Sequence, residues 1–182
     1  MRPEILFNLF KSVTTLSGVG ARIAKLIEVA TGGDQLVDLI WYLPTNIIDR
    51  RYAPTIKDAN PGVVATMTIQ VLKHNKPHNR RSPYKIECGD DTGFMSLVFF
   101  HAHADYLKRE LPEGETRVVS GTVERFSKEL QMTHPDHIGK VEDIQKLMRV
   151  EPVYGLTSGL SLKAIGKAIT STLQSVPDLP EW

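Results

Sequence analysis

Cysteine is nearly missing from this chain. Cys88 is the single one among 182 residues, which excludes an internal disulfide framework and the multi-cysteine zinc motifs, and fits a reducing cytoplasm. No apolar run approaches the ~18 residues that a membrane-spanning helix needs. Met1-Arg2-Pro3-Glu4 has neither the basic start nor the long apolar core of a secretory signal. A surplus of one charge is missing too: 22 Lys and Arg stand against 21 Asp and Glu, a formal net charge of +1. Any attraction for a polyanion must therefore come from local clusters, not from a global basic field. Catalytic signatures are also lacking. There is no Gly-x-x-x-x-Gly-Lys-Ser/Thr phosphate loop, no Gly-x-Ser-x-Gly elbow and no cysteine–histidine motif. Nothing in the chain activates a nucleophile or binds ATP, so it reads as a non-enzymatic piece without a catalytic residue or a cofactor of its own.

What is present falls into three stretches, residues 1–54, 55–140 and 141–182. The first is helical. Ile5, Leu6, Leu9 and Phe10 share one face of a short helix. Val19, Ile23, Leu26, Ile27 and Ala30 recur at steps of three and four, the mark of a second helix. Thr31-Gly32-Gly33-Asp34 ends it, and a third short helix is expected to bury Leu36, Val37, Leu39, Ile40 and Leu43 before Pro44. The last stretch carries a helix from its N-cap Ser161 to about Val176. No internal repeat is evident.

From Val63 the period changes to two. Val63, Ala65, Met67, Ile69 and Val71 point one way, and Thr66, Thr68 and Gln70 the other. A polar loop leads to a second strand with Tyr84, Ile86 and Cys88 on one face, and Gly89-Asp90-Asp91-Thr92-Gly93 turns the chain into a third, Phe94 to Phe100. Ala104 to Leu111 is helical, Arg117 to Phe126 is a fourth strand and Leu130 to His134 a fifth. The order β-β-β-α-β-β is that of the five-stranded Greek-key barrel of the OB type, which binds oligonucleotides on strands two and three and on the loops joining strands 1–2 and 4–5. The fold class is thus α+β, dominated by this barrel, with a helical N-terminal segment and a C-terminal helix.

Several residues on that frame suit a nucleic acid. Lys73, Lys76, Arg80, Arg81 and Lys85 lie in and beside the first loop with no acid among them, and Lys128 sits in the turn between strands four and five. Cations there neutralise phosphates and release counterions, giving salt-dependent, sequence-blind affinity; His74 and His78 add charge only when protonated. A solvated hairpin tip is the plain alternative. Among Tyr84, Phe94, Phe99, Phe100 and Tyr106, most rings suit core packing. Period two, however, separates Phe99 from Phe100, so one of that pair faces outwards and is available to stack on a base. Leu16-Ser17-Gly18-Val19-Gly20-Ala21-Arg22 looks like the second half of a helix-hairpin-helix, with Gly18 and Gly20 opening helix amides to a phosphate and Arg22 and Lys25 beside them. The same Gly-x-Gly also serves plain packing. His101-Ala102-His103 and His134-Pro135-Asp136-His137 offer a metal reading, but no helical His-Glu-x-x-His accompanies them.

Several stretches together resemble the N-terminal wedge region of the RecG-type ATP-dependent helicases that remodel branched DNA. They are Leu16-Ser17-Gly18-Val19-Gly20, Asp38 to Pro44 with Asp49-Arg50-Arg51, Asp91-Thr92-Gly93 through Phe99-Phe100, Gly121, Met132-Thr133-His134-Pro135-Asp136, and Pro152 to Leu160. In this order they cover nearly the whole chain. The resemblance implies an OB barrel that splits strands at a fork or Holliday junction in DNA recombination and repair. ATP and Mg would be bound only by motor domains lying outside these residues. It also implies a monomer in the bacterial cytoplasm, at the nucleoid and away from membranes. In the family an aromatic at the end of the third strand and another shortly after it cap base pairs at the branch point; Phe100 matches the first, and Tyr106 or His103 the second. A general single-strand or RNA-binding OB protein, a protein-interaction module and a metal-dependent hydrolase are the alternative readings.

Overall fold

The computed structural model describes residues 4–77, 79, 82–100 and 103–178. In chain order, 3-10 turns at Glu4–Phe10 and Val13–Thr15 precede α1 (Ala21–Thr31), α2 (Leu36–Trp41) and β1 (Asn46–Asp49). Then come β2 (Val64–Asn75), β3 (Tyr84–Asp90), β4 (Gly93–Phe99), α3 (Ala104–Glu110), β5 (Thr116–Phe126), β6 (Glu129–Thr133) and β7 (His137–Gly139). A short 3-10 turn, α4 (Ile144–Leu147), β8 (Val150–Val153) and α5 (Leu162–Gln174) complete the order. The chain forms two compact units, Met1–Ile47 with Pro152–Trp182, and Ile48–Glu151.

The second unit is the barrel. Antiparallel pairs β2–β3, β3–β4 and β5–β6, a parallel pair β4–β6 and an antiparallel β2–β5 pair close five strands into a ring. Closure leaves the ring no open edge to recruit another chain. The alternation expected of β2 is present in part: Ala65, Met67, Ile69 and Val71 are buried and Thr68 and Gln70 exposed, but Thr66 is buried as well and Val63, just ahead of the strand, is exposed. The buried apolar residues of β2 pack with Ile86, Cys88, Met95, Leu97, Phe99, Val119, Val123 and Met132, and α3 with its C-cap adds Leu107 and Leu111 to this core. Burial pushes the Cys88 thiol up to about 12, so it sits there as a small apolar side chain. A bulge between Val71 and Lys73 displaces Leu72 outwards, where it is exposed.

Gly121 lies where β5 meets the segment after β6. A Cβ there would stand 3.0 Å from Met132 Sδ and 3.2 Å from Pro135 Cα, so glycine is what lets that segment come close. The same segment is held by a buried cation. Arg50, only 3% exposed, donates from Nε to Glu151 at 2.8 Å and from Nη1 to Asp136 at 3.0 Å and Ser120 Oγ at 3.2 Å. Thr66 Oγ1 donates to the Arg50 carbonyl at 2.8 Å and lies 2.9 Å from Ser120 Oγ. Burial alone would raise the Glu151 carboxyl, but hydrogen bonds from Arg50 and Arg149 outweigh it and hold it below the usual range.

The first unit is helical. Val13, Val19, Ala24, Ile27, Leu36 and Leu39 share one core with Tyr154, Leu160, Ile165, Ala168 and Ile169. The C-terminal helix therefore belongs with the N-terminal helices, because their apolar faces cover each other; the division read from composition, at 54/55 and 140/141, differs from this one. The first helix is 3-10 and buries only Leu9. The third ends at Trp41, so Leu43 is exposed instead of buried. Ser161 caps α5 as expected, its hydroxyl accepting from the Ala164 N–H at 3.2 Å. One short device recurs here although the sequence shows no repeat: Ser17-Gly18-Val19-Gly20 precedes α1 and Ser158-Gly159-Leu160-Ser161 precedes α5. Gly18 and Gly159 have φ of 84° and 87°, Val19 and Leu160 are buried, and Arg22 and Lys163 stand two positions into their helices.

Arg50→Met removes the donor that Glu151, Asp136 and Ser120 share. It is expected to lower unfolding stability by about 3 kcal/mol in urea melts; a loss below about 1 kcal/mol, the scale of an exposed pair, would show the network to be incidental.

Candidate nucleic-acid interface

The end of β4 separates two adjacent rings by the parity of the strand. Phe99 is buried, 8% exposed, beside Leu97 and Met95, whereas Phe100 is 57% exposed. The expectation that one of the pair faces outwards is met by Phe100. Its backbone N–H donates to His134 Nε2 at 3.1 Å. The His134 ring stands edge-on to Phe99, with centroids 5.8 Å apart, and tilted by 33° to Phe100 at 5.9 Å. His134 is itself held by its own N–H, which donates to the Val98 carbonyl at 2.9 Å.

Tyr106 projects from α3 and is exposed, with the Arg109 guanidinium 5.4 Å from its ring centroid. His103, the N-cap of the same helix, is exposed and makes no side-chain cap. Tyr84 and Phe94 divide differently: Tyr84 is core, while Phe94 is exposed and packs over Gly89, where a Cβ would meet its ring at 3.0 Å.

Lys73, Lys76 and Lys128 are exposed and make no ion pair among the described residues; Lys85 is half-buried with its ammonium 6.0 Å from the Phe126 ring centroid. Arg80 and Arg81 lie outside the described residues, as does His101. His74, grouped by sequence with the loop cations, is a structural residue. Its ring nitrogens lie 2.9 Å from Tyr84 Oη and 2.7 Å from the Leu111 carbonyl. At the other candidate site, Gly18, Gly20, Arg22 and Lys25 are all exposed, but Lys25 is engaged with Glu28 at 2.9 Å. The chain before Gly18 is a 3-10 turn, so the α-helical first half of a helix-hairpin-helix is not formed there.

Three side chains of the His134–His137 motif have partners within the protein. His134 accepts from Phe100, Asp136 from Arg50, and His137 faces Glu151 at 3.5 Å. Among the described residues no three His, Cys, Asp or Glu side chains gather as ligands. No helix of the described residues is long and apolar enough to cross a membrane.

A family model described as the RecG wedge domain matches residues 13–176. The chain belongs to the RecG wedge domain family. An ATP-dependent DNA helicase RecG of Aquifex aeolicus is 22% identical over 180 residues, 95% of this chain and 22% of that protein. The RecG of Escherichia coli K12 is 27% identical over 164 residues, 88% of this chain and 23% of its own. The chain thus spans about a quarter or less of the curated relatives it matches. A solved structure of RecG bound to a three-way DNA junction matches with a TM-score of 0.78 at 24% identity, over 95% of this chain and 24% of that one, which establishes the shared fold.

One ring of this wedge escaped the sequence reading. Phe126 is 63% exposed at the tip between β5 and β6, beside Ser127 with φ of 58° and Lys128. Its signal was available, since period two with Val119 and Val123 inwards places Thr122, Glu124 and Phe126 outwards.

The two rings at the end of β4 predict opposite stability outcomes. Phe99→Ala is expected to cost about 3–5 kcal/mol in a urea melt, as for a core ring, and Phe100→Ala no more than about 0.5 kcal/mol. Equal losses would place both rings in the core.

Proposed function

We propose that this chain is the branched-DNA recognition and strand-separating wedge of an ATP-dependent DNA helicase of recombination and repair. The observation that carries this reading is a large apolar ring, Phe100, kept in solvent at the end of a barrel strand while its neighbour is buried. Exposing such a ring forfeits about 1.5–3 kcal/mol of burial, which stacking on a base at a branch point returns at ~1–3 kcal/mol. Tyr106 supplies the second ring, supported by its exposure and by the Arg109 cation against it; His103 is the less apolar choice. Lys73, Lys76, Arg80, Arg81 and Lys85, in and beside the loop between β2 and β3, and Lys128 in the turn between β5 and β6 contact the backbone phosphates of the arms. The open N-terminus of α1, at Gly18 and Gly20 with Arg22 and Lys25, is a lesser phosphate contact.

The longer relatives support a partner in the same polypeptide. In this reading the motor domains hydrolyse ATP with Mg and drive DNA across the wedge, which works as a monomer in the bacterial cytoplasm at the nucleoid. The wedge itself contributes no catalytic group. Its own part is mechanical and electrostatic: a ring that ends the duplex stack, and cations that hold the arms.

Anisotropy titrations at one salt concentration compare a fork, a Holliday junction, single strand and plain duplex. The fork and junction are expected to bind about tenfold tighter than duplex, with affinity falling on a log–log salt slope of roughly −5, as for the six cations named. Phe100→Ala is expected to abolish the fork preference while leaving the salt slope. Equal affinity for fork and duplex contradicts the proposal, and equal affinity for single strand and fork favours a general single-strand binder.

A further inference from the structure

We infer that His134 is a positioning residue for Phe100, acting through a neutral imidazole whose Nε2 accepts the Phe100 backbone N–H. This rests on the reading of Phe100 as the branch-point ring. A backbone amide can only donate, so Nε2, at 3.1 Å, must carry the lone pair and the ring proton must sit on Nδ1. The other ring contacts agree with a brace: one face of the imidazole lies tilted beside Phe100, and it meets Phe99 edge-on. His134 thereby couples an exposed ring to a buried one.

The brace is fixed from both sides. On one side its own N–H is bonded to the Val98 carbonyl, two residues before Phe100. On the other, Pro135 passes close over Gly121 and Asp136 is bonded to buried Arg50. Between these anchors His134 adopts φ of 47°, a left-handed conformation that few residues other than glycine accept and in which His is enriched. An unusual backbone held by neighbours on both sides is how a chain aims a side chain at a required point. The point here is the amide that begins Phe100, one bond from the Cα that carries the ring. Because both residues are exposed, water can replace the lost bond, so the brace acts on orientation and little on stability.

The test uses two substitutions in the whole chain. His134→Phe keeps a ring and removes the acceptor; His134→Gln removes the ring and retains an acceptor at a similar reach. Both meet the same left-handed strain, so strain cancels between them. The fork-over-duplex preference is expected to fall about tenfold in His134→Phe, to the level of Phe100→Ala, and to stay within about twofold of the parent in His134→Gln. Melting temperatures of the two variants are expected to match each other. In the free protein, nitrogen-15 shifts of the imidazole should report protonated Nδ1 and bare Nε2. An Nε2–H tautomer, or full fork preference in His134→Phe, overturns the inference even where Phe100→Ala behaves as proposed. An unchanged preference in Phe100→Ala overturns the branch-point reading itself, and this inference with it, while the tautomer still reports on the hydrogen bond.

Discussion

A single buried guanidinium organises the part of the barrel that carries the exposed ring. Arg50 reaches Glu151, Asp136 and Ser120 at once, and the Ser120–Thr66 pair returns a hydrogen bond to its own carbonyl. A carboxylate or a guanidinium left alone in such a place would cost several kcal/mol; together they become a directional clamp. The clamp joins the segment leading into the barrel, the strand β5, the chain after β6 and the start of β8. Gly121 complements it sterically by letting Pro135 approach β5. What is thereby fixed in space is His134, and through its Nε2 the backbone of Phe100.

From this follows a division of labour in one dipeptide. Phe99 anchors β4 to the core, so that the backbone beside it cannot drift, and Phe100 projects where the next residue of a strand must project. The strand's period of two puts the two rings on opposite faces, and the bond to His134 holds the second one where it emerges. Lys73 stands opposite Glu87 across the β2–β3 ladder, Lys128 precedes Glu129, and the net charge of the whole chain is +1. A module of this balance gains its selectivity from shape and stacking more than from electrostatic pull, whose sequence-blind strength is set by how many phosphates are neutralised.

Much of this was legible in the sequence. Five strands and their intervening helix announce themselves through apolar alternation and glycine-rich turns, and the parity of Phe99 and Phe100 follows from the same count. The short strands β1, β7 and β8 span only three or four residues, too few for a period to show. The network joins Arg50 to residues 70 to 101 positions away in sequence, and no local pattern in Asp49-Arg50-Arg51 says which of the two arginines is buried. The pairing of α5 with α1 and α2 is a matter of complementary apolar faces, visible only once both are folded. The roles of His74 and His134 were hidden for a related reason: a histidine's partners are set by the elements that pack on it. Phe126, by contrast, could have been found by counting.

The central claim is that Phe100 sits at the branch point of a fork. Its most direct measurement is the fluorescence of 2-aminopurine placed in the base pair next to the junction, compared with the same probe deep in the duplex arm. Binding should change the emission at the junction and not in the arm, and Phe100→Ala should bind at raised concentration without that change. Equal responses at the two positions, or a junction response untouched by Phe100→Ala, would contradict the account.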